Sequence, residues 1–117
     1  MRKASVLLVE DEALIRMMIV SMLEELGHCV VAEACTLEDA QHLAEAADFD
    51  LALLDVNLGG RIVAPVVNIL LRRGLPFVFI TAYPSGGLPE NLSKGLVLQK
   101  PFVISKLKDA METILAG

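Results

Sequence analysis

Apolar residues come in short unbroken runs, and each run stops at or next to a polar residue. Val6-Leu7-Leu8-Val9 stops at Glu10 and Asp11, and Leu51-Ala52-Leu53-Leu54 stops at Asp55. Phe77-Val78-Phe79-Ile80 stops at Thr81, and Leu96-Val97-Leu98 ends just before Gln99 and Lys100-Pro101. Continuous rather than alternating runs of this length read as parallel strands covered on both faces. Between them the period changes. Leu14, Ile15, Met18, Ile19, Met22, Leu23 and Leu26 recur on one face, which predicts a helix over 12–26 capped by Gly27. A strand is expected over 28–34. Thr36, with Asp39 three residues on, resembles a capping box and opens a helix to about residue 47. Pro65 suits the first turn of a helix that ends at Arg72-Arg73, where cations favour the helix dipole. A last helix over 103–115 turns Ile104, Leu107, Met111, Ile114 and Leu115 inward.

Strand and helix therefore alternate through the chain, which predicts an α/β domain with a parallel sheet and helices on both faces. The pattern is weakest over 83–95. Pro84, Gly86, Gly87, Pro89 and Gly95 limit any helix there to a turn or two, and a short or irregular fourth helix, mobile or poorly formed, is expected. Leu58-Gly59-Gly60 reads as a loop.

Open α/β sheets bind ligands at the carboxyl ends of their strands. Glu10, Asp11, Asp55, Thr81 and Lys100 should therefore converge despite their distance in sequence. Three carboxylates cannot all stay ionised at close range without compensation. A divalent oxygen-loving cation, Mg²⁺, is the natural one, and Lys100 adds a further positive charge. Thr81 offers a hydroxyl that can donate to a phosphoryl oxygen. The set suits attack by an Asp carboxylate on phosphorus, giving an acyl phosphate.

Composition narrows the setting. The chain has 117 residues, 55% hydrophobic and 21% charged, which suits one compact domain over 1–117. A net charge of −5 counts against nucleic-acid binding, which needs basic surface. No apolar stretch approaches the roughly 20 residues that span a bilayer, so neither a membrane segment nor a leader is expected, and the chain reads as cytoplasmic. Cys29 and Cys35 are then expected reduced, without zinc-site spacing. His28 and His42 have no metal-ligating neighbour and are expected at the surface.

Leu8-Val9-Glu10-Asp11-Glu12, Leu54-Asp55-Val56-Asn57, Ile80-Thr81-Ala82 and Lys100-Pro101-Phe102 together resemble the motifs of a response-regulator receiver domain, CheY-like, along essentially the whole chain. The resemblance implies a doubly wound, flavodoxin-like (βα)5 fold with a five-stranded sheet in order 2-1-3-4-5. It makes Asp55 the phosphoacceptor of a two-component system. Asp11 and Asp55 would bind Mg²⁺, Glu10 would act mainly through water, and Asn57 would lend its backbone carbonyl. Thr81, the Ala82 backbone and Lys100 would hold the phosphoryl group, and the Lys100–Pro101 bond would be cis. The implied phosphodonor is a sensor histidine kinase or a phosphotransfer protein, and the output is an altered affinity for a downstream protein.

Phe79-Ile80-Thr81-Ala82-Tyr83 is further similar to an alphaproteobacterial receiver subgroup known for a Phe-Ala-Thr-Gly-aromatic run, often partnered by kinases of the HWE class. Two departures from ordinary receivers stand out. Gly59 occupies the place of a usual Pro, and Val97 that of a usual aromatic. Tyr83, two residues after Thr81, reads either as a surface or packing aromatic after the fourth strand or as the substitute reporter. Three other readings compete. An Asp-nucleophile phosphatase of the haloacid-dehalogenase type needs an Asp where Asn57 stands, and a flavin-binding flavodoxin needs a phosphate loop after the first strand. A phosphorylation-independent pseudo-receiver, acting only as an interaction module, is the third.

Overall fold

The structure, a computed structural model, describes residues 3–82 and 96–116. Tyr83 and the expected short or irregular helix over 84–95 lie outside the described residues. The strands of the central sheet are β1 (Ser5–Val9), β2 (Cys29–Ala34), β3 (Leu51–Asp55), β6 (Phe77–Thr81) and β7 (Leu96–Gln99). All are parallel, in order β2-β1-β3-β6-β7. With the small hairpin of β4 (Asn57–Leu58) and β5 (Arg61–Ile62) set aside, this is the order 2-1-3-4-5. Helices α1 (Ala13–Glu25), α2 (Leu37–Ala46), α3 (Ala64–Arg73) and α4 (Ile104–Ala116) cover both faces.

The apolar runs work because side chains alternate across a strand. Leu7, Val9, Ala52, Leu54 and Phe79 pack on one face with Ala40 and Ala44 of α2 and Val66 and Leu70 of α3. Val6, Leu8, Leu51, Leu53, Val78 and Ile80 pack on the other with Ile19 and Leu23 of α1 and Leu107 and Met111 of α4. β2 lies at an edge, and its outward positions, Cys29, Val31 and Glu33, are exposed. Both cysteines are free. Thr36 Oγ1 accepts the Asp39 N–H at 3.1 Å, the expected cap of α2. Arg73 donates to the carbonyls of Ala44 and Ala47 and lies over the Phe49 ring, so it ties α3 to the end of α2.

Two expectations are corrected. The apolar face of α1 is wider than the core it meets. Ile19 and Leu23 are buried, whereas Leu14 and Met18, along with Met17, stand in solvent. His28 is buried rather than at the surface, and its Nδ1 accepts the Ala4 N–H at 3.1 Å. It must be neutral there, because a protonated ring has no acceptor. Burial lowers its pKa below 6.5. A depressed folded pKa supplies stability at pH above 6.5, lost as pH falls towards the folded value. An Asn at position 28 can keep the acceptor but cannot titrate. In urea unfolding, the loss of stability on acidification through 6.5 is therefore expected to be smaller for His28→Asn than for wild type.

Candidate functional site

β1 delivers Glu10 and Asp11 just past its end, Asp55 is the last residue of β3, and Thr81 the last of β6. The register aligns these ends. Val9 pairs with Leu54, Asp55 with Ile80, and Thr81 with Gln99. The Lys100 N–H continues the ladder to the Thr81 carbonyl at 2.7 Å, and the Lys100–Pro101 bond is cis. β2 lies to one side of β1 and β3 to the other, so the order in which strands are added reverses between β1 and β3. A cleft opens at such a switch point. Here it is a cavity of about 260 Å³ lined by Asp11, Glu12, Asp55, Asn57, Gly59, Gly60, Thr81, Ala82 and Lys100.

The predicted cluster forms. Glu10, Asp11 and Asp55 each bring an oxygen within 4.8 Å of the others. Lys100 Nζ lies 2.6 Å from Glu10 Oε1 and 3.2 Å from Asp55 Oδ2. Asn57 N–H donates to Asp55 Oδ1 at 3.2 Å. Glu10, Asp55 and Thr81 are buried, whereas Asp11 faces the opening. The charges act on one another strongly. Burial, and then the Glu10 charge, push Asp55 up to about 7, against the pull of Lys100. Burial opposes the charge on Lys100, but its contacts with Glu10 and Asp55 prevail and raise its pKa. Burial also opposes ionisation of Asp11, yet hydrogen bonds, led by the Gly59 N–H, hold its carboxyl below the usual value. Three oxygen donors close together, one pushed up to about 7 by burial and the Glu10 charge, fit a hard divalent cation.

The sequence did not show that the expected loop at Gly59 is a hairpin. Gly59 and Gly60 have φ of 56° and 88°, the left-handed pair a two-residue hairpin turn requires. Gly59 N–H donates to Asp11 Oδ2 at 2.9 Å, and Gly60 N–H to Asn57 Oδ1 at 2.7 Å. Arg61 pairs with Glu38 of α2. The Gly-Gly pair was the available signal. Proline has no N–H and cannot adopt this φ. Gly59→Pro is therefore expected to destabilise the chain by about 2 kcal/mol, read as a lower urea midpoint.

A family model for the response regulator receiver domain matches residues 6–112. The chain belongs to the receiver-domain family. This receiver is 39% identical over 111 residues to the transcriptional regulatory protein PdtaR of Mycobacterium tuberculosis, covering 92% of the chain and 54% of PdtaR. Among solved structures, SdrG of Sphingomonas melonis superposes with a TM-score of 0.85 at 37% identity, covering 97% of each chain. The anti-anti-sigma factor PhyR of Bartonella quintana gives 0.85 at 32% identity, covering 99% of this chain and 49% of that one. The receiver thus spans about half the length of PdtaR, and its likeness to SdrG and PhyR accords with the Phe-Ala-Thr-Gly-aromatic subgroup. Receivers of this kind are signalling modules that typically bind Mg²⁺ at an acidic pocket. Val97 sits on β7 against Phe79, so the usual aromatic is absent from that place. No helix among the described residues is long and apolar enough to cross a membrane.

Proposed function

We propose that the domain is the phosphoacceptor of a two-component pathway, with Asp55 taking a phosphoryl group from a phosphohistidine. The donor is a sensor histidine kinase, by the subgroup likeness one of the HWE class, or a phosphotransfer protein. An Asp55 carboxylate oxygen bonds to phosphorus as the phosphorus–nitrogen bond breaks, and the electron pair stays on the histidine ring. The observation that carries this reading is the setting of Asp55. It lines the cavity with one oxygen held by the Asn57 N–H and the other beside Lys100, whereas Glu10 is fully buried and Asp11 is tied to Gly59.

Asp11, Asp55 and the Asn57 carbonyl would hold Mg²⁺, with Glu10 acting through water. When bound, the cation would neutralise charge on the carboxylates and the incoming phosphoryl oxygens. Lys100, already between Glu10 and Asp55, would turn towards the phosphoryl group, and Thr81 and the Ala82 backbone would donate to it.

An apolar groove borders the cavity. Ile15, Met18, Ile19, Met22, Pro101 and Phe102 line it, and Glu12, Ala82 and Lys100 are common to both. With Leu14 and Met17 exposed nearby, this α1 face suits the donor's apolar surface. Output would pass through the chain after Thr81, Tyr83 included, to a downstream protein. By the likeness to PhyR, a partner in sigma-factor control is the proposed class, and a cytoplasmic setting goes with it.

Incubation with Mg²⁺ and acetyl phosphate, followed by intact-mass measurement, tests the assignment. A phosphate adduct is expected on wild type and none on Asp55→Asn. An adduct that survives the substitution moves the acceptor elsewhere. No adduct on either protein favours the phosphorylation-independent interaction module.

A further inference from the structure

We infer that Arg16 is a positioning residue for the cation site, acting through the peptide that joins Glu10 to Asp11. The inference rests on the reading that this site takes Mg²⁺. Arg16 lies in the second turn of α1, outside the acidic cavity. Its Nη1 donates to the Glu10 carbonyl at 2.9 Å, and its Nε lies 3.2 Å from Glu33 Oε1 on β2. The Glu10 carbonyl belongs to the peptide plane from which both acidic residues project. The amide side of Glu10 is held too, by donation to the Ala34 carbonyl at 3.0 Å. The turn between β1 and α1 is thus anchored to β2 through backbone on one side and through the Arg16–Glu33 bridge on the other.

A guanidinium suits this place because its rigid fork can engage a carboxylate and a carbonyl at once. A lysine ammonium, a single centre on a flexible stem, cannot reproduce that geometry. The Arg16 side chain is 22% exposed and that of Glu33 is 47% exposed, so the ion pair itself contributes little to stability. Its consequence is aim. Groups that orient metal ligands from outside the coordination sphere typically change metal affinity by about tenfold or more when removed.

Charge and position predict opposite signs, which makes the inference testable. Simple electrostatics says that removing a cation near the site should tighten Mg²⁺ binding. Positioning says that Arg16→Met should weaken it, by about tenfold. The measurement is a Mg²⁺ titration of the full chain followed by amide NMR, for wild type, Arg16→Met, Arg16→Lys, Glu33→Gln and the Arg16→Met/Glu33→Gln double variant. Arg16→Lys, which keeps the charge, is also expected to bind more weakly than wild type. It carries the test if Arg16→Met does not fold. Glu33→Gln is expected to weaken binding less, and to add nothing once Arg16 is gone. Binding unchanged or tighter in folded Arg16→Met overturns the inference, as does a full additional loss from Glu33→Gln in the double variant. A wild type that shows no Mg²⁺ response refutes the cation reading, and this inference falls with it. Wild-type Mg²⁺ binding without a phosphate adduct refutes only the phosphoacceptor assignment and leaves Arg16 to be judged by the titration.

Discussion

Asp55→Asn is expected to stabilise the protein in alkaline, metal-free solution, although it removes the proposed phosphoacceptor. Asp55 is buried with Glu10, and burial and the Glu10 charge raise its pKa from 3.8 to about 7. A carboxyl with a raised folded pKa contributes its full stability below 3.8, and that contribution is lost as pH rises through about 7. Above that point the folded chain carries an ionised Asp55 that it would rather protonate. A tenfold change in proton affinity is worth about 1.4 kcal/mol. Lys100 shares its charge between the two acids, so a gain of about 2 kcal/mol is expected for the Asn variant near pH 8. The replacement is sterically mild. Its carbonyl oxygen can keep the Asn57 N–H, and Lys100 keeps Glu10 at 2.6 Å. Urea unfolding with a chelator, at about pH 8 and about pH 5, measures the effect. The advantage should shrink at the acid end, and added Mg²⁺ should favour wild type instead. Equal stabilities at the alkaline end would refute burial and the Glu10 charge as costs of ionising Asp55 in this site.

Lys100→Met is expected to act in the opposite direction and more strongly. The Glu10 side chain has no solvent exposure and that of Asp55 has 8%, so water cannot replace the lost ammonium. Stripping the cation from a buried ionic cluster costs about 3 kcal/mol, mostly through the uncompensated charge left behind. Met preserves the apolar stem of Lys, so packing changes little. The loss should be largest where Asp55 is ionised. As pH falls towards about 7, Asp55 of the variant, no longer held down by Lys100, takes up a proton and can donate to Glu10, and the deficit should narrow. Mg²⁺ should also recover part of it by supplying the missing charge. The same urea titrations read all three effects. A deficit independent of both pH and Mg²⁺ would assign the role of Lys100 to packing rather than charge.

Much of this molecule is legible in one dimension because its strongest signals are local or periodic. Runs such as Leu51-Ala52-Leu53-Leu54 can avoid water only between two layers of helices, so they define central parallel strands. Polar residues that end such runs must lie at one edge of the sheet, which brings Glu10, Asp11, Asp55, Thr81 and Lys100 together. What the sequence left undecided depends on neighbours distant in the chain. The apolar face of α1 is periodic over its whole length, but the sheet is wide enough to cover Ile19 and Leu23 and not Leu14 and Met18. His28 looks like a surface polar residue until the β1 end supplies the Ala4 N–H as its partner. The glycine pair announces a turn, but only the approach of Asp11 turns the Gly59 amide into part of the site. The sequence by itself determined the fold and the inventory of charged groups, because hydrophobic periodicity and strand-end placement are properties of the chain. Only tertiary structure decided which acid shares the ammonium, which is held by backbone amides, and that Arg16 braces the turn between them, because hydrogen bonds and charge coupling depend on ångström distances that no spacing along the chain encodes.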